Sequence, residues 1–146
     1  LFSRGGDSLV IPTLNRDGDC MSDLVLQLFG SIAGSESLLL GFHGEGLVPA
    51  VVMAEAPHGT APALEGKNIA NPMAMILAVA SLLGFTDDAR CKTASRAIYE
   101  STFEAVRSGV RTADLGGHAL TDEFTNAVID GVHSKLEVWG SLGHVS

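Results

Sequence analysis

Apolar and polar positions recur along the chain with periods that divide it into a few elements. Ser8-Leu9-Val10-Ile11 is a short apolar run stopped by Pro12, which predicts a buried strand. A polar turn, Asn15-Arg16-Asp17-Gly18-Asp19, follows it. Met21, Leu24, Val25, Leu28, Phe29 and Ile32 then recur at three- and four-residue steps, the signature of one apolar helix face. Residues 30–48 are rich in Gly and Ser, with Leu38-Leu39-Leu40 as a short strand and Gly41-Phe42-His43-Gly44-Glu45-Gly46 as a glycine turn. A further strand is expected over Pro49-Ala50-Val51-Val52-Met53-Ala54-Glu55. Residues 56–70 hold Pro57, Gly59, Pro62 and Gly66, too many breakers for regular structure, so a long loop is expected there. Long loops in compact domains are usually functional.

Three helices follow. Asn71-Pro72 is a strong start, an Asn N-cap with proline at the first helical position, where its missing N–H costs nothing. The helix it opens ends at Gly84 and is apolar nearly all round, so it should be central and covered on every side. Asp87 is expected to cap a long helix ending near Gly109, with a buried stripe that includes Ala94, Ile98, Tyr99, Phe103 and Val106. A last helix begins near Thr121 and carries Phe124, Val128, Val132 and Leu136 at four-residue spacing. Two or three strands make a poor sheet alone, which hints that sheet is missing.

Size and charge narrow the partners. The 146 residues are 46% hydrophobic and 18% charged, enough to build one core without disulfides or metal. Nine basic against 17 acidic residues give a net charge of −8, which argues against nucleic acid or an anionic membrane surface as main partner. The longest apolar stretch, residues 73–85, is too short to span a bilayer. Cys20 and Cys91 lack metal-type spacing and read as reduced thiols of an intracellular protein, with the cytoplasm favoured over mitochondria. No signal-peptide pattern opens the chain.

Two segments could carry chemistry. Asp19 and Asp23, at i and i+4, project from one helix face, and with Asp17 they could bind a hard cation such as Mg²⁺ or Mn²⁺. Acids at that point also complement the helix N-terminal partial charge, so both readings stay open on spacing alone. Glu55-Ala56-Pro57-His58-Gly59-Thr60-Ala61-Pro62 leaves a strand with small residues through which backbone N–H groups can approach a phosphate or nucleotide. It is neither a G-x-G-x-x-G nor a Walker loop, and a rigid structural turn is the simpler account. His43, His118, His133 and His144 have no acid, Ser or Cys at triad or zinc spacing and read as surface or packing residues.

Asn15-Arg16-Asp17-Gly18-Asp19-Cys20-Met21-Ser22-Asp23-Leu24 resembles the N-x-x-G-D-x-x-S-D-L signature of the isocitrate and isopropylmalate dehydrogenase family. Residues 55–72 resemble its E-x-x-H-G-[ST]-A-P…G-K…A-N-P nucleotide loop, and Arg111-Thr112-Ala113-Asp114-Leu115-Gly116-Gly117 resembles its R-T-x-D-L-G-G loop. The resemblance runs from about residue 8 to about residue 137. It implies an α/β fold: one domain over 1–146 that corresponds to the C-terminal half of the dehydrogenase large domain, helix-rich with two or three strands. It also implies a metal- and NAD(P)-dependent enzyme that oxidises and decarboxylates a 2-hydroxy acid. By resemblance Asp19 and Asp23 are metal ligands. His58, Gly59, Thr60, Ala61 and Asn71 hold the adenosine part of the cofactor, and Asp19, Asp23 and His58 are the groups to test for catalysis.

The departures from the family pattern set further expectations. The chain corresponds to less than half of a family member, without the substrate arginines, the catalytic tyrosine and lysine, or the third metal aspartate that the resemblance calls for. Tyr99 lies on a helix stripe and Lys67 in the nucleotide loop, so neither fits the missing base. Where relatives carry Asp or Lys to meet the ribose, this chain has Ala63 followed by Leu64. The glycine-rich segment after the first helix is eroded to Gly30-Ser31-Ile32-Ala33-Gly34-Ser35-Glu36-Ser37, and Thr13 and Leu14 are additional. Expected, therefore, are weak or vestigial Mg²⁺ or Mn²⁺ binding, a small-molecule ligand, a homo-oligomer, and no redox turnover by the chain alone. The alternative is a truncated paralogue repurposed as a non-redox isomerase or cyclase, or as a binding module.

Overall fold

The structure, a computed structural model, describes residues 10–28, 30–44, 46 and 48–142. Helix α1 (Asn15–Leu28) leads into a 3-10 turn at Ile32–Gly34 and an antiparallel pair, β1 (Ser37–Phe42) and β2 (Pro49–Glu55). After the loop come α2 (Met73–Gly84), α3 (Ala89–Ser108) and α4 (Thr121–Leu142). In the expected first strand, Ser8 and Leu9 lie outside the described residues. Val10 and Ile11 belong to no strand and are exposed.

The core sits among the three C-terminal helices. Met73 and Leu77 of α2, Ala105 of α3, and Phe124 and Val128 of α4 form one buried cluster, with Val106, Leu115 and Val132 packed against it. α3 lies against both α2 and α4, and α2 also rests on β2. Leu40 opposite Val52 and Leu38 opposite Ala54 share the better-covered face of the hairpin. Leu39 opposite Met53 lies on the other, where Leu39 is 65% exposed.

Five further expectations need correction. Residues Asn15 to Asp19 are helical rather than a turn, since the Gly18 N–H donates to Leu14 O at 2.8 Å and starts α1 ahead of its apolar face. That helix ends at Leu28, and Ile32 falls in the following 3-10 turn. The α2 surface is not covered on every side. Met75, Val79 and Leu82 are exposed, because a two-stranded hairpin is too narrow to shield a helix that α3 flanks elsewhere. The cap of α3 is Asp88, whose carboxylate accepts from Arg90 N at 2.8 Å, one residue after the expected Asp87. Phe103 is exposed, and the buried face of α3 is Ser95, Ala97, Ser101, Thr102 and Ala105. Small residues face inward there because α4 comes close: a Cβ on Gly131 would lie 2.9 Å from Ser101 Cβ.

The other boundaries follow from local chemistry. Asn71 Oδ1 accepts from Met73 N at 3.0 Å and so supplies the expected cap of α2, with Pro72 just ahead of the first helical residue. At the far end of α3, Gly109 takes φ 98°, a left-handed conformation that glycine adopts without penalty, and its N–H meets the last carbonyls.

Candidate nucleotide half-site and acidic helix face

The loop after β2 is built by its own backbone. Ala61 takes a left-handed φ of 42° and opens the 3-10 turn Pro62–Leu64, closed by Leu64 N to Ala61 O at 2.8 Å. Lys67 N donates to Leu64 O at 3.1 Å, and Asn68 again turns left-handed at φ 56°. The end of the loop then grips the start of α4. Thr121 N donates to Asn68 O at 2.9 Å, Asp122 N to Asn68 Oδ1 at 3.2 Å, and Thr121 Oγ1 to Ala70 O at 2.6 Å. Two of the N–H groups at the head of α4 are thus satisfied from the loop, so loop and helix position each other.

His58, Gly59, Thr60 and Ala61 are all exposed on this loop, and the His58 ring meets Gly59 O at 3.0 Å. Asn71 is half-buried and held at both ends of its amide. Oδ1 accepts from Met73 N, and Nδ2 donates to Asp114 Oδ2 at 2.9 Å. Asp114 gathers two further donors, Ser31 Oγ on the same oxygen at 2.5 Å and Thr112 Oγ1 on Oδ1 at 2.5 Å. Partial desolvation pushes the Asp114 carboxyl up, but the hydrogen bonds from Ser31, Thr112 and Asn71 outweigh it and hold the group below its ordinary value. Three family-like segments therefore converge on one carboxylate, a role that sequence reasoning missed. The R-T-x-D-L-G-G segment was visible, yet its aspartate has partners 43 and 83 positions away, beyond any local pattern.

A second polar cluster ties the hairpin to the bundle. Ser81 Oγ donates to Glu36 Oε1 at 2.8 Å, the Tyr99 hydroxyl donates to that same oxygen, and the two hydroxyls lie 2.5 Å apart. Burial, followed by the bond to Glu36, raises the Tyr99 phenol above its ordinary value. Glu36 lies in the segment that reads as eroded, so nothing in its neighbours marked it.

The aspartates of α1 sit apart from these networks. Asp17 falls in the first helical turn, while Asp19 and Asp23 lie one turn apart beyond it, and all three are exposed. Helix-terminal charge fades within the first turn, so it accounts for Asp17 but not for the other two. Among the described residues no group of three or more His, Cys, Asp or Glu side chains is placed to hold a metal. Apart from the Ile32–Gly34 turn, α1 has little contact with the other described elements, and its Met21, Leu24, Val25 and Leu28 are exposed. His43, His118 and His133 are exposed and make no triad, and His144 lies outside the described residues. An apolar groove of about 390 Å³ runs between α2 and α4, lined among others by Met75, Val79, Ile129 and Val132. No described helix is long and apolar enough to cross a membrane.

Residues 4–128 match the family model described as isocitrate/isopropylmalate dehydrogenase. The chain is similar to the mitochondrial NAD isocitrate dehydrogenase catalytic subunit 5 of Arabidopsis thaliana, 38% identical over 125 residues, covering 85% of this chain and 30% of that protein. It is also similar to the 3-isopropylmalate dehydrogenase of Acinetobacter baylyi, 41% identical over 82% of this chain and 32% of that one. The isocitrate/homoisocitrate dehydrogenase of Thermus thermophilus is 36% identical over 86% and 34%. The crystal structure of a β-decarboxylating dehydrogenase from Thermococcus kodakarensis, in its apo form, superposes with a TM-score of 0.64 at 30% identity, over 86% of this chain and 35% of that one. This likeness agrees with the expected partial α/β dehydrogenase domain. The chain spans about a third of the length of the curated relatives it matches.

Proposed function

The chain belongs to the isocitrate/isopropylmalate dehydrogenase family, and from that premise we propose that it carries an adenosine half-site and half of a metal site, without redox turnover of its own. The observation that carries this reading is the built loop, clamped to α4 through Asn68 and Thr121 and to Asp114 through Asn71. His58, Gly59, Thr60, Ala61 and Asn71 would hold the adenosine part of NAD(P). Its small residues and exposed backbone suit close approach of a flat base and ribose.

Asp19 and Asp23 offer hard carboxylate oxygens one helical turn apart on an exposed face, a donor set that fits one side of a Mg²⁺ or Mn²⁺ shell. A bound cation would supply Lewis-acid polarisation of a substrate hydroxyl. Two carboxylates leave most of an octahedral shell to water, so calorimetry should find no micromolar site in the chain alone. Hydride transfer further needs a nicotinamide, a substrate and a general base in near contact. Tyr99 spends its hydroxyl on Glu36 and Ser81 and holds its proton above the ordinary range, so it is a poor base.

A non-redox role, as isomerase, cyclase or binding module, draws support from the Pro62–Leu64 turn. That turn carries Ala63 and Leu64, the positions at which the family resemblance calls for a ribose-binding side chain, and it closes without an acidic one. We place the protein in the cytoplasm and read residues 1–146 as one folding unit. The test follows NAD(P)H absorbance with Mg²⁺ or Mn²⁺ and a panel of 2-hydroxy acids. No turnover is expected. Turnover that survives repurification and disappears in Asp19→Asn would overturn the reading.

A further inference from the structure

Among the described residues, α1 and the α2–α4 groove are two apolar surfaces that nothing covers. Asp17, Met21, Leu24 and Leu28 recur at four- and three-residue steps and so form one stripe along α1. All four are exposed. Leu26, about half a turn round the helix from Leu24, is the one α1 side chain that is partly covered. The stripe therefore faces away from its own body. In the bundle, α3 lies against both α2 and α4, and Ile98 of α3 joins Met75, Val79, Ile129, Val132 and His133 in lining the groove. The groove has the form of a slot for a fourth helix, and an amphipathic helix is the ligand that such a slot takes.

We propose that two copies of the chain exchange α1 helices: each helix lies in the α2–α4 groove of the other copy, with Asp17 against His133. The chain's own α1 cannot fill the slot. Ser81, which holds Glu36, stands two positions and so about 200° round α2 from Val79, which puts the hairpin on the side of α2 away from the groove. Ser31 is tied to Asp114, and residues 29 and 30 are too short a link to carry α1 round a helix about 10 Å across. Area decides between one seated helix and two. A helix of 14 residues is about 21 Å long, so seating it buries on the order of 600 Å² over both surfaces. A stable interface needs about 1,200 Å², which one seated helix misses and two related by a two-fold axis reach. Charge sets the direction. Asn71 caps α2 and Thr121 bonds Ala70 O, so α2 and α4 start at the same end of the bundle. Met75 and Thr125 mark that end of the groove and His133 the other. Asp17 is the one charged member of the α1 stripe, and an imidazole N–H can donate to its carboxylate. With α1 antiparallel to α2 and α4, Asp17 meets His133 while Leu28 reaches Met75 and Thr125. Asp17 and Leu28 lie about 16 Å apart along α1, and Thr125 and His133 about 12 Å apart along α4, so the stripe spans the groove. Asp19 and Asp23 lie outside the stripe and stay in solvent.

The experiment is light scattering of the full chain over a dilution series, with circular dichroism to follow the fold. A closed dimer is expected. Leu24→Asp on α1 and Ile129→Asp in the groove should each weaken it about a hundredfold or more, because each sets a carboxylate into both apolar contacts. Both positions are exposed, so the fold should survive. Asp17→His and His133→Asp should each weaken the dimer about tenfold, since two symmetry-related contacts each lose a pair worth about threefold. The double variant exchanges donor and acceptor and should restore the native affinity. A native monomer, which would leave the groove to another polypeptide, overturns the proposal, and so does an open series of larger oligomers. A dimer that Ile129→Asp disrupts and Leu24→Asp spares sets groove on groove and overturns it. The reverse result sets α1 on α1 and does the same. Absence of recovery in the double variant also overturns it, and decides alone where an apolar variant does not fold.

Discussion

Gly131→Ala probes a close contact between α4 and α3. A methyl group there would lie 2.9 Å from both Cβ and Oγ of Ser101, against the roughly 3.5–4.0 Å at which carbon atoms ordinarily rest. Two effects compete. Alanine in place of glycine inside a helix gains about 1 kcal/mol from propensity. Overpacking a filled contact costs about 1–3 kcal/mol. Relief is not available locally, because Cβ has no torsion to escape through and Ser101 is flanked on α3 by fully buried Thr102. The helices must part, so the cost falls in the upper part of that range and the net loss should be up to about 2 kcal/mol. For a chain of this size that is a fall in Tm of roughly 4 °C per kcal/mol. Urea unfolding followed by Trp139 fluorescence reads the contact directly, because the single tryptophan lies on α4 with Arg96 of α3 5.1 Å from its ring centre. Gly140→Ala on the same helix meets nothing within 4 Å and should show the propensity gain alone. Adding Ser101→Gly to Gly131→Ala removes the opposing Cβ, along with a buried hydroxyl that has no hydrogen-bond partner, and should recover part of the loss. If Gly131→Ala stabilises the protein as Gly140→Ala does, α3 and α4 are not in the close contact described, and the argument fails.

Tyr99 is the only tyrosine, so absorbance at the phenolate band reports it alone. It should titrate above the ordinary phenol range, and its contribution to stability, complete below about pH 10, should be lost as pH rises through the folded value. Tyr99→Phe should cost about 1 kcal/mol in urea melts at neutral pH, and a phenol that titrates at the ordinary value would contradict the Glu36 cluster. Asp114→Ala strands three donors and should cost about 2 kcal/mol at pH 7 after allowing for solvent contact. Because the folded carboxyl sits below its unfolded value of about 3.9, this stabilisation holds above that pH and fades as pH falls through the folded value, so the gap between native and Asp114→Ala should narrow at pH 3. Exposed Met75, Val79 and Ile129 along the α2–α4 groove, with Leu24 and Leu28 on α1, predict self-association. Light scattering that shows a 15 kDa monomer across a wide concentration range would remove that expectation.

The bundle was legible because its signals are local. Asn71-Pro72, Gly84 and Gly109 punctuate helices whose apolar spacing is helical, and Phe124 and Val128 fall on the buried face that their spacing marks. Periodicity failed where depth is decided by a neighbour. Phe103 belongs to the apolar stripe by spacing, yet the close approach of Gly131 to Ser101 gives the inner face of α3 to small residues and leaves the ring outside. The acidic turn misled for a different reason. Asn15, Asp17, Gly18 and Asp19 are all turn formers, but the Gly18-to-Leu14 bond carries the helix straight through them. The polar hubs were invisible because, apart from Thr112 beside it, Asp114 draws its partners from 43 and 83 positions away, and Glu36 from 45 and 63.

The two proposed half-sites are held by different means, and this bears on how each could act. The loop between β2 and α2 is fixed by hydrogen bonds to α4 and to Asp114, so its shape is a property of the described fold. The acidic face of α1 has no such support. Its helix meets the rest chiefly at the Ile32–Gly34 turn, with its apolar side chains in water. A metal site needs ligands held to within a fraction of an ångström by groups behind them, and nothing described stands behind Asp19 or Asp23. Whatever covers Leu24 and Leu28 would therefore set the cation affinity as much as the aspartates do. Among the described residues, Ser31, three positions after the end of α1, ties this region to the loop: it donates to Asp114, which holds Asn71.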